Sequence, residues 1–155
     1  MTVEREKRHQ VIPSAYLIVL NEKNEVLLMR RRGTGYMDGY YGFPSGHFDG
    51  DEEARVAVLR EACEETGITV EIDDLEEMNV MHRKTKEKGV NERVDFFFVT
   101  RKWEGEPEIM ELDKCDHLAW FSIDDLPDKM IPYSRVALCY CLRGIPYSGY
   151  GWREE

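Results

Sequence analysis

The chain has 155 residues, enough for one folded domain with a core of its own. Its 42% hydrophobic and 34% charged residues are the balance of an ordinary globular protein. A formal net charge of −10 excludes a nucleic-acid duplex as the expected partner, because a phosphate backbone requires a basic face; it leaves room for a small polyphosphate bridged to carboxylates by divalent cations.

The charged opening MTVEREKRHQ has no apolar segment of the secretory-leader kind, and the longest apolar stretch, Ala15 to Leu20, is too short to cross a bilayer. A cytoplasmic location and no membrane contact are the expectation. Cys63, Cys115, Cys139 and Cys141 form no CxxC pair and have no zinc spacing, so they are expected as reduced thiols.

In chain order, Val11 to Leu20 is predicted as a strand and Asn21 to Asn24 as a polar turn. Glu25 to Arg31 follows as a second strand that closes a hairpin with the first. A Gly/Tyr-rich loop, Arg32 to Tyr41, precedes a short strand around Gly42 to Pro44 that leads into Gly46. A helix is predicted from Glu52 to Thr66, with Asp51 as N-cap, Glu52 and Glu53 in the first turn, and Gly67 just past the end. Further strands are expected at Glu76 to His82, Arg93 to Trp103 and Leu118 to Ser122, and a last helix at Tyr133 to Leu142 after Pro132. Without repeats or linkers, this order predicts one α/β domain over 1–155, a mixed sheet covered by helices on both faces.

On a wheel of about 100° per residue, Val56, Leu59 and Cys63 share one side of the 52–66 helix and are expected to form its core stripe. Glu61, Glu64 and Glu65 gather roughly opposite, where i, i+3 and i+4 side chains are neighbours. Ala54, Ala57 and Val58 lie near that acidic side and are small enough for a ligand or another backbone to come close. Three like charges there repel one another, and a hard divalent cation reverses the sign of that interaction. Acidic helical faces are usually just solvated, so the surrounding order of residues decides between the two readings.

From Gly46 the chain reads GHFDGDEEARVAVLREACEETGI, which resembles the Nudix box over 46–68. Gly46, Glu52, Arg60, Glu61, Glu64, Glu65, Gly67 and Ile68 stand at its fixed positions. Ala62 is smaller than the aliphatic residue usual in its slot, and Ser45 stands where many members have glycine. The arginine run after the second strand and the later LAWFSIDDLP also look like Nudix chains.

The resemblance implies a Nudix-type α/β/α sandwich with a mixed β-sheet. Its activity would be a Mg²⁺-dependent hydrolase of diphosphate bonds, with Mn²⁺ as an alternative metal. It implies metal ligands at Glu61, Glu64, Glu65 and the Gly46 carbonyl, with Arg60 orienting a liganding glutamate. Glu61, Glu64, Arg60 and Glu52 are the expected catalytic set. Glu52 sits about 180° from Glu61 on an ideal helix, so it would act through the helix start, as a partner of another side chain, or only on the helix dipole. The general base comes from the box or from Glu108, Glu111 or Asp113.

For substrate contacts the expected residues are Arg30 and Arg32 (with Arg31 in the same run), Tyr41 and Phe43, and Trp120. Tyr36, Tyr40, His82, Arg83 and Lys84 are further candidates, and each has an ordinary packing or solvated alternative. The expected substrate is a small nucleotide-like diphosphate, first of all a nucleoside triphosphate of ordinary or oxidised, 8-oxo-dGTP-like kind. ADP-ribose or a nucleotide sugar is the runner-up, and a non-catalytic Nudix binding module the more distant reading. The chain is expected as a monomer or homodimer.

Overall fold

The computed structural model describes residues 7–86, 89 and 91–153, so the first six residues of the charged opening lie outside the described residues. The strands are β1 (Ile12–Val19), β2 (Glu25–Arg31), β3 (Tyr41–Gly42), β4 (Ser45–His47), β5 (Leu75–Lys84), β6 (Glu92–Thr100), β7 (Cys115–Ser122) and β8 (Tyr147–Tyr150). The helices are α1 (Ala54–Thr66) and α2 (Pro132–Leu142).

A five-stranded mixed sheet runs β4–β1–β6–β5–β8, with β1 parallel to β6 and β5 parallel to β8. Residues alternate across it with the period of two that a pleat imposes. Ala15, Leu17 and Val19 enter a core with Ala57, Val58 and Ala62 of α1, while Tyr16 and Ile18 enter a second core with Ala137, Leu138 and Cys141 of α2. The sheet is thus covered by a helix on each face, as expected. Among the described residues no helix is long and apolar enough to cross a membrane.

The expected hairpin does not form. β1 and β2 touch through one isolated bridge, Leu20 to Val26, and then separate; β2 pairs with β3 and β7 in a three-stranded sheet of its own. Ala15 to Leu20 is buried without interruption, and so is Val26 to Met29. Strands buried on both faces belong in sheet interiors. Here each takes its own two neighbours. The short β8, which carries Gly149 and no apolar run, was not anticipated.

The helix α1 starts two residues later than predicted. Gly50 and Asp51 adopt left-handed φ of 90° and 50°, so Asp51 turns the chain instead of capping it, and Glu53 takes the N-cap position. At the other end Gly67, φ 76°, closes the helix as expected, its N–H bonding the Cys63 carbonyl.

The faces of α1 also differ from the wheel reading. Val56 is 46% exposed, Cys63 is exposed and Leu59 is half-buried, whereas Ala57, Val58, Ala62 and Thr66 are buried. The small residues are the contact face because α1 lies close against β1 and β4, where a longer side chain has no room. We therefore expect Ala62→Leu to cost about 1–3 kcal/mol by overpacking, and Cys63→Ser to stay within about 0.5 kcal/mol. Denaturant unfolding decides between the faces: a neutral Ala62→Leu beside a costly Cys63→Ser would restore the original stripe.

Candidate active site

The site is built where α1 crosses β4. A Cβ placed on Gly46 would stand 2.1 Å from the Glu61 carboxyl carbon, so glycine is the residue that lets that carboxylate lie on the strand backbone. One turn on, Glu65 Oε2 accepts from the Ser45 N–H at 3.1 Å. Glu64 points outward, 51% exposed at its side chain. The acidic face inferred from the wheel is therefore divided: Glu61 and Glu65 face the strand, and Glu64 rides on the rim.

Arg60 collects the remaining acids. Its guanidinium donates to Glu52 at 2.8 and 3.2 Å, to Glu61 at 2.9 Å and to the His47 carbonyl at 3.3 Å. It also lies 3.3 Å from Asp49 and 3.4 Å from Glu64. Glu52, outside the helix, meets Arg60 from the preceding loop and accepts the Asp49 N–H at 2.8 Å. Of the three readings left open for it, the geometry is that of a partner to another side chain. The hydrogen bond from Arg60, then that from Asp49, holds the Glu52 carboxyl below its ordinary range.

Burial pushes Glu61 above its ordinary value, and the Arg60 hydrogen bond offsets part of that rise. Glu65 is pushed up to about 8, first by burial and further by the charges of Glu61 and Glu111, against the Ser45 N–H. Two carboxylates that resist ionisation beside a bare stretch of backbone suit a hard divalent cation, which takes oxygen ligands and supplies the missing charge. Among the described residues, no three acidic, His or Cys side chains converge as a ready ligand set. Arg60 engages Glu61 at 2.9 Å and Glu64 at 3.4 Å.

These carboxylates open on a cleft of about 980 Å³. Gly46, Glu61, Glu65, Arg30 and Phe43 line it, with Arg31 and Tyr36 beside them. Arg30 is engaged by Asp116 at 2.7 Å and Phe43 is only 4% exposed, edge-on to Phe97 in the core. The loop after β6 bonds the last carbonyls of α1, through Glu108 N–H to Thr66 O and Met110 N–H to Glu65 O. It thereby brings Glu111 and Asp113, but not Glu108, to the cleft.

Other expected contacts fall elsewhere. Arg32 is exposed outside the cleft lining, its backbone tied to Lys114 O. Tyr41 is a step behind the lining, under Arg30 and bonded through its hydroxyl to His117 Nδ1 at 2.7 Å. Trp120 pairs with Leu27 across β2 and packs on the α1 side of the sheet, 5.4 Å from Trp103. That is a core role and not a wall of the cleft. Of His82, Arg83 and Lys84 only Arg83 reaches the cleft; strand alternation sends its neighbours to the other face, where both meet Trp152. The sequence reading missed Tyr16, Arg93, Tyr133 and Ser134, which also line it and sit in no motif.

The family description "NUDIX domain" matches residues 11–141. The chain is 34% identical over 95 residues to the 8-oxo-dGTP diphosphatase of Escherichia coli, covering 58% of this chain and 66% of that protein. It is 42% identical over 53 residues to a putative 8-oxo-dGTP diphosphatase of Bacillus subtilis, covering 34% and 33%. The chain thus aligns with less than two thirds of the length of either relative. Among solved structures, a MutT NUDIX hydrolase from Burkholderia pseudomallei superposes with a TM-score of 0.72 at 29% identity, covering 83% of this chain and 96% of that one.

The raised Glu65 has a consequence for stability without metal. Its folded pKa of about 8 exceeds the ordinary 4.5, so between those values the folded state binds more protons than the unfolded one. Stability is fully present below pH 4.5 and is lost as pH rises toward 8. In EDTA, Glu65→Gln is expected to match wild type near pH 4.5 and to exceed it at pH 8 by about a few kcal/mol. Chemical denaturation at the two pH values measures this, and equal pH slopes for the two proteins would refute it.

Proposed function

The chain belongs to the Nudix family, and from that premise we propose that it is a Mg²⁺-dependent pyrophosphohydrolase that cleaves a nucleoside triphosphate, ordinary or oxidised in the manner of 8-oxo-dGTP, to the monophosphate and pyrophosphate. The observation that carries the reading is the seating of Glu61 and Glu65 on the bare backbone at Gly46, at the mouth of a cleft of nucleotide size. The names of the two bacterial relatives agree with it. A location in the cytoplasm and a single domain over 1–155 complete the proposal.

Glu61, Glu64, Glu65 and the Gly46 carbonyl would hold the metal, which when bound neutralises phosphate charge and lowers the pKa of a water. The protein's own groups do the rest. Arg60 positions Glu61 by a charge-assisted hydrogen bond and is itself fixed by Glu52. Arg30 and Arg31 line the same cleft and would meet the phosphate chain, taking the charge that grows on the leaving pyrophosphate. As water oxygen bonds to phosphorus and the anhydride P–O bond breaks, a carboxylate must accept the water proton. Glu111, brought over the cleft by its loop, stands near enough to Glu65 to raise that residue's pKa, and is the candidate outside the helix.

The test is phosphate and pyrophosphate release with Mg²⁺ across 8-oxo-dGTP, the ordinary (d)NTPs, ADP-ribose and nucleotide sugars. We expect a triphosphate to lead the panel and Glu65→Gln to lower its turnover by about 10²-fold or more with the fold retained. A leading ADP-ribose or nucleotide sugar would replace the triphosphate assignment. Silence across the panel from folded protein, or a mutant as active as wild type, would overturn the hydrolase reading.

A further inference from the structure

The α2 end of the cleft holds a guanidinium fixed by its neighbours and a buried hydroxyl that the packing does not satisfy. Arg83, on β5, is 5% exposed. Its Nε donates to Asp95 Oδ2 at 2.6 Å, and its guanidinium lies 3.8 Å over the Tyr133 ring. Those contacts fix the plane of the guanidinium, and Arg83 lines the cleft. Ser134, the residue after Tyr133, also lines the cleft; it is fully buried and its Oγ has no partner. Buried donors are rarely left unmade, and in a cleft a ligand is the natural partner.

The surroundings define the ligand's chemistry. The Arg83–Asp95 ion pair is formally neutral, so it favours a neutral acceptor over a phosphate. The adjacent side chains are aromatic: Tyr16, Tyr133 and Tyr36, the last two joined through their hydroxyls at 3.1 Å. Position agrees as well. Gly46 on β4 and Arg83 on β5 are three strand spacings apart, roughly 14 Å across the sheet, with Arg83 three residues further along its strand than the row of Gly46. That is about the reach from the far edge of a purine to its phosphates. A fixed guanidinium offers two parallel donors, which match a carbonyl oxygen beside a ring-nitrogen acceptor.

We propose that Arg83, held by Asp95 and Tyr133 and seconded by Ser134, is the specificity-determining residue of a base subsite that selects a 6-oxopurine with an unprotonated N7, guanine or hypoxanthine, over adenine and over the 8-oxo form, whose N7 carries a proton. Adenine places an amino donor where the carbonyl should be, and pyrimidines lack the neighbouring ring nitrogen on that edge. The assignment rests on the nucleotide-hydrolase reading for its ligand class, yet its base preference needs neither metal nor turnover to be examined.

The experiment is calorimetric titration of metal-free protein in EDTA with GMP and AMP, and of Mg²⁺-loaded protein with inorganic triphosphate. Wild type is expected to bind GMP at least about tenfold tighter than AMP. Arg83→Met should abolish that preference while leaving inorganic triphosphate binding unchanged. Because Arg83→Met strands a buried Asp95 carboxylate and can unfold the chain, Arg83→Lys and Ser134→Ala are titrated as well. The lysine keeps the charge but not the fork and should lose most of the preference; the alanine should weaken GMP several-fold.

Equal binding of GMP and AMP by wild type, no measurable binding of either, or a preference that survives Arg83→Lys would overturn the proposal. So would a parallel loss of triphosphate binding, which would make Arg83 a phosphate contact. GMP selection through Arg83 without turnover of any nucleotide would retain the subsite and sink the hydrolase reading; turnover indifferent to base would do the reverse.

Discussion

Arg60 draws Asp49, Glu52, Glu61, Glu64 and the His47 carbonyl around one guanidinium, and the acidic end of the cleft takes its shape from that convergence. Gly50 and Asp51 reverse the chain so that Glu52 comes back toward the helix it precedes, and Arg60 is what it comes back to. The same side chain steadies Glu61 against Gly46. Individually such part-exposed pairs contribute little to stability; their value is that a planar fork can satisfy several acceptors in fixed directions, which a lysine cannot. Four carboxylates around one guanidinium still leave a formal surplus of three negative charges. This part of the chain is held ready for cationic charge beyond what the protein supplies.

How far the sequence disclosed this varies from element to element, for physical reasons. The box from Gly46 to Ile68 was legible because its residues are fixed by spacing, and spacing survives in one sequence. The packing face of α1 was not. A wheel weighted toward large apolar side chains chose Val56, Leu59 and Cys63, but where a helix lies close on a strand the buried side is the one with alanines, Ala57 and Ala62, which carry almost no hydrophobic signal. The supposed hairpin failed in a similar way. Proximity along the chain suggested that β1 and β2 pair, while unbroken burial on both strands meant that each needed two neighbours.

Strand parity explains the substrate contacts that moved. Leu27 belongs to the α1-side core, so Trp120, its cross-strand partner, must point to that side as well; Phe121, opposite Val26, takes the other. Parity also separates Arg83 from His82 and Lys84. In the sequence the three basic residues were equivalent. Once Met81 is placed in the α2-side core, Arg83 must share its face, and Asp95 must share the face of Phe97 one strand over. What the sequence lacked was strand register, not chemistry.

On the proposed reading, an acidic chain that handles a polyphosphate divides the work of recognition by distance. At the β4 edge, buried carboxylates whose protons are hard to remove make cation and phosphate binding mutually dependent, because neither charge is stable there alone. At the α2 end the charged group is already neutralised by Asp95, so selection rests on direction and hydrogen-bond polarity and not on net charge. Arg30 and Arg31 stand in the cleft with both ends, where a phosphate chain joined to a base would lie. A net charge of −10 is compatible with such a ligand because basic and acidic side chains balance in the cleft lining, Arg30, Arg31, Arg83, Arg93 and Lys114 against Asp49, Glu61, Glu65, Glu111 and Asp113, so that the surplus of acids lies outside it.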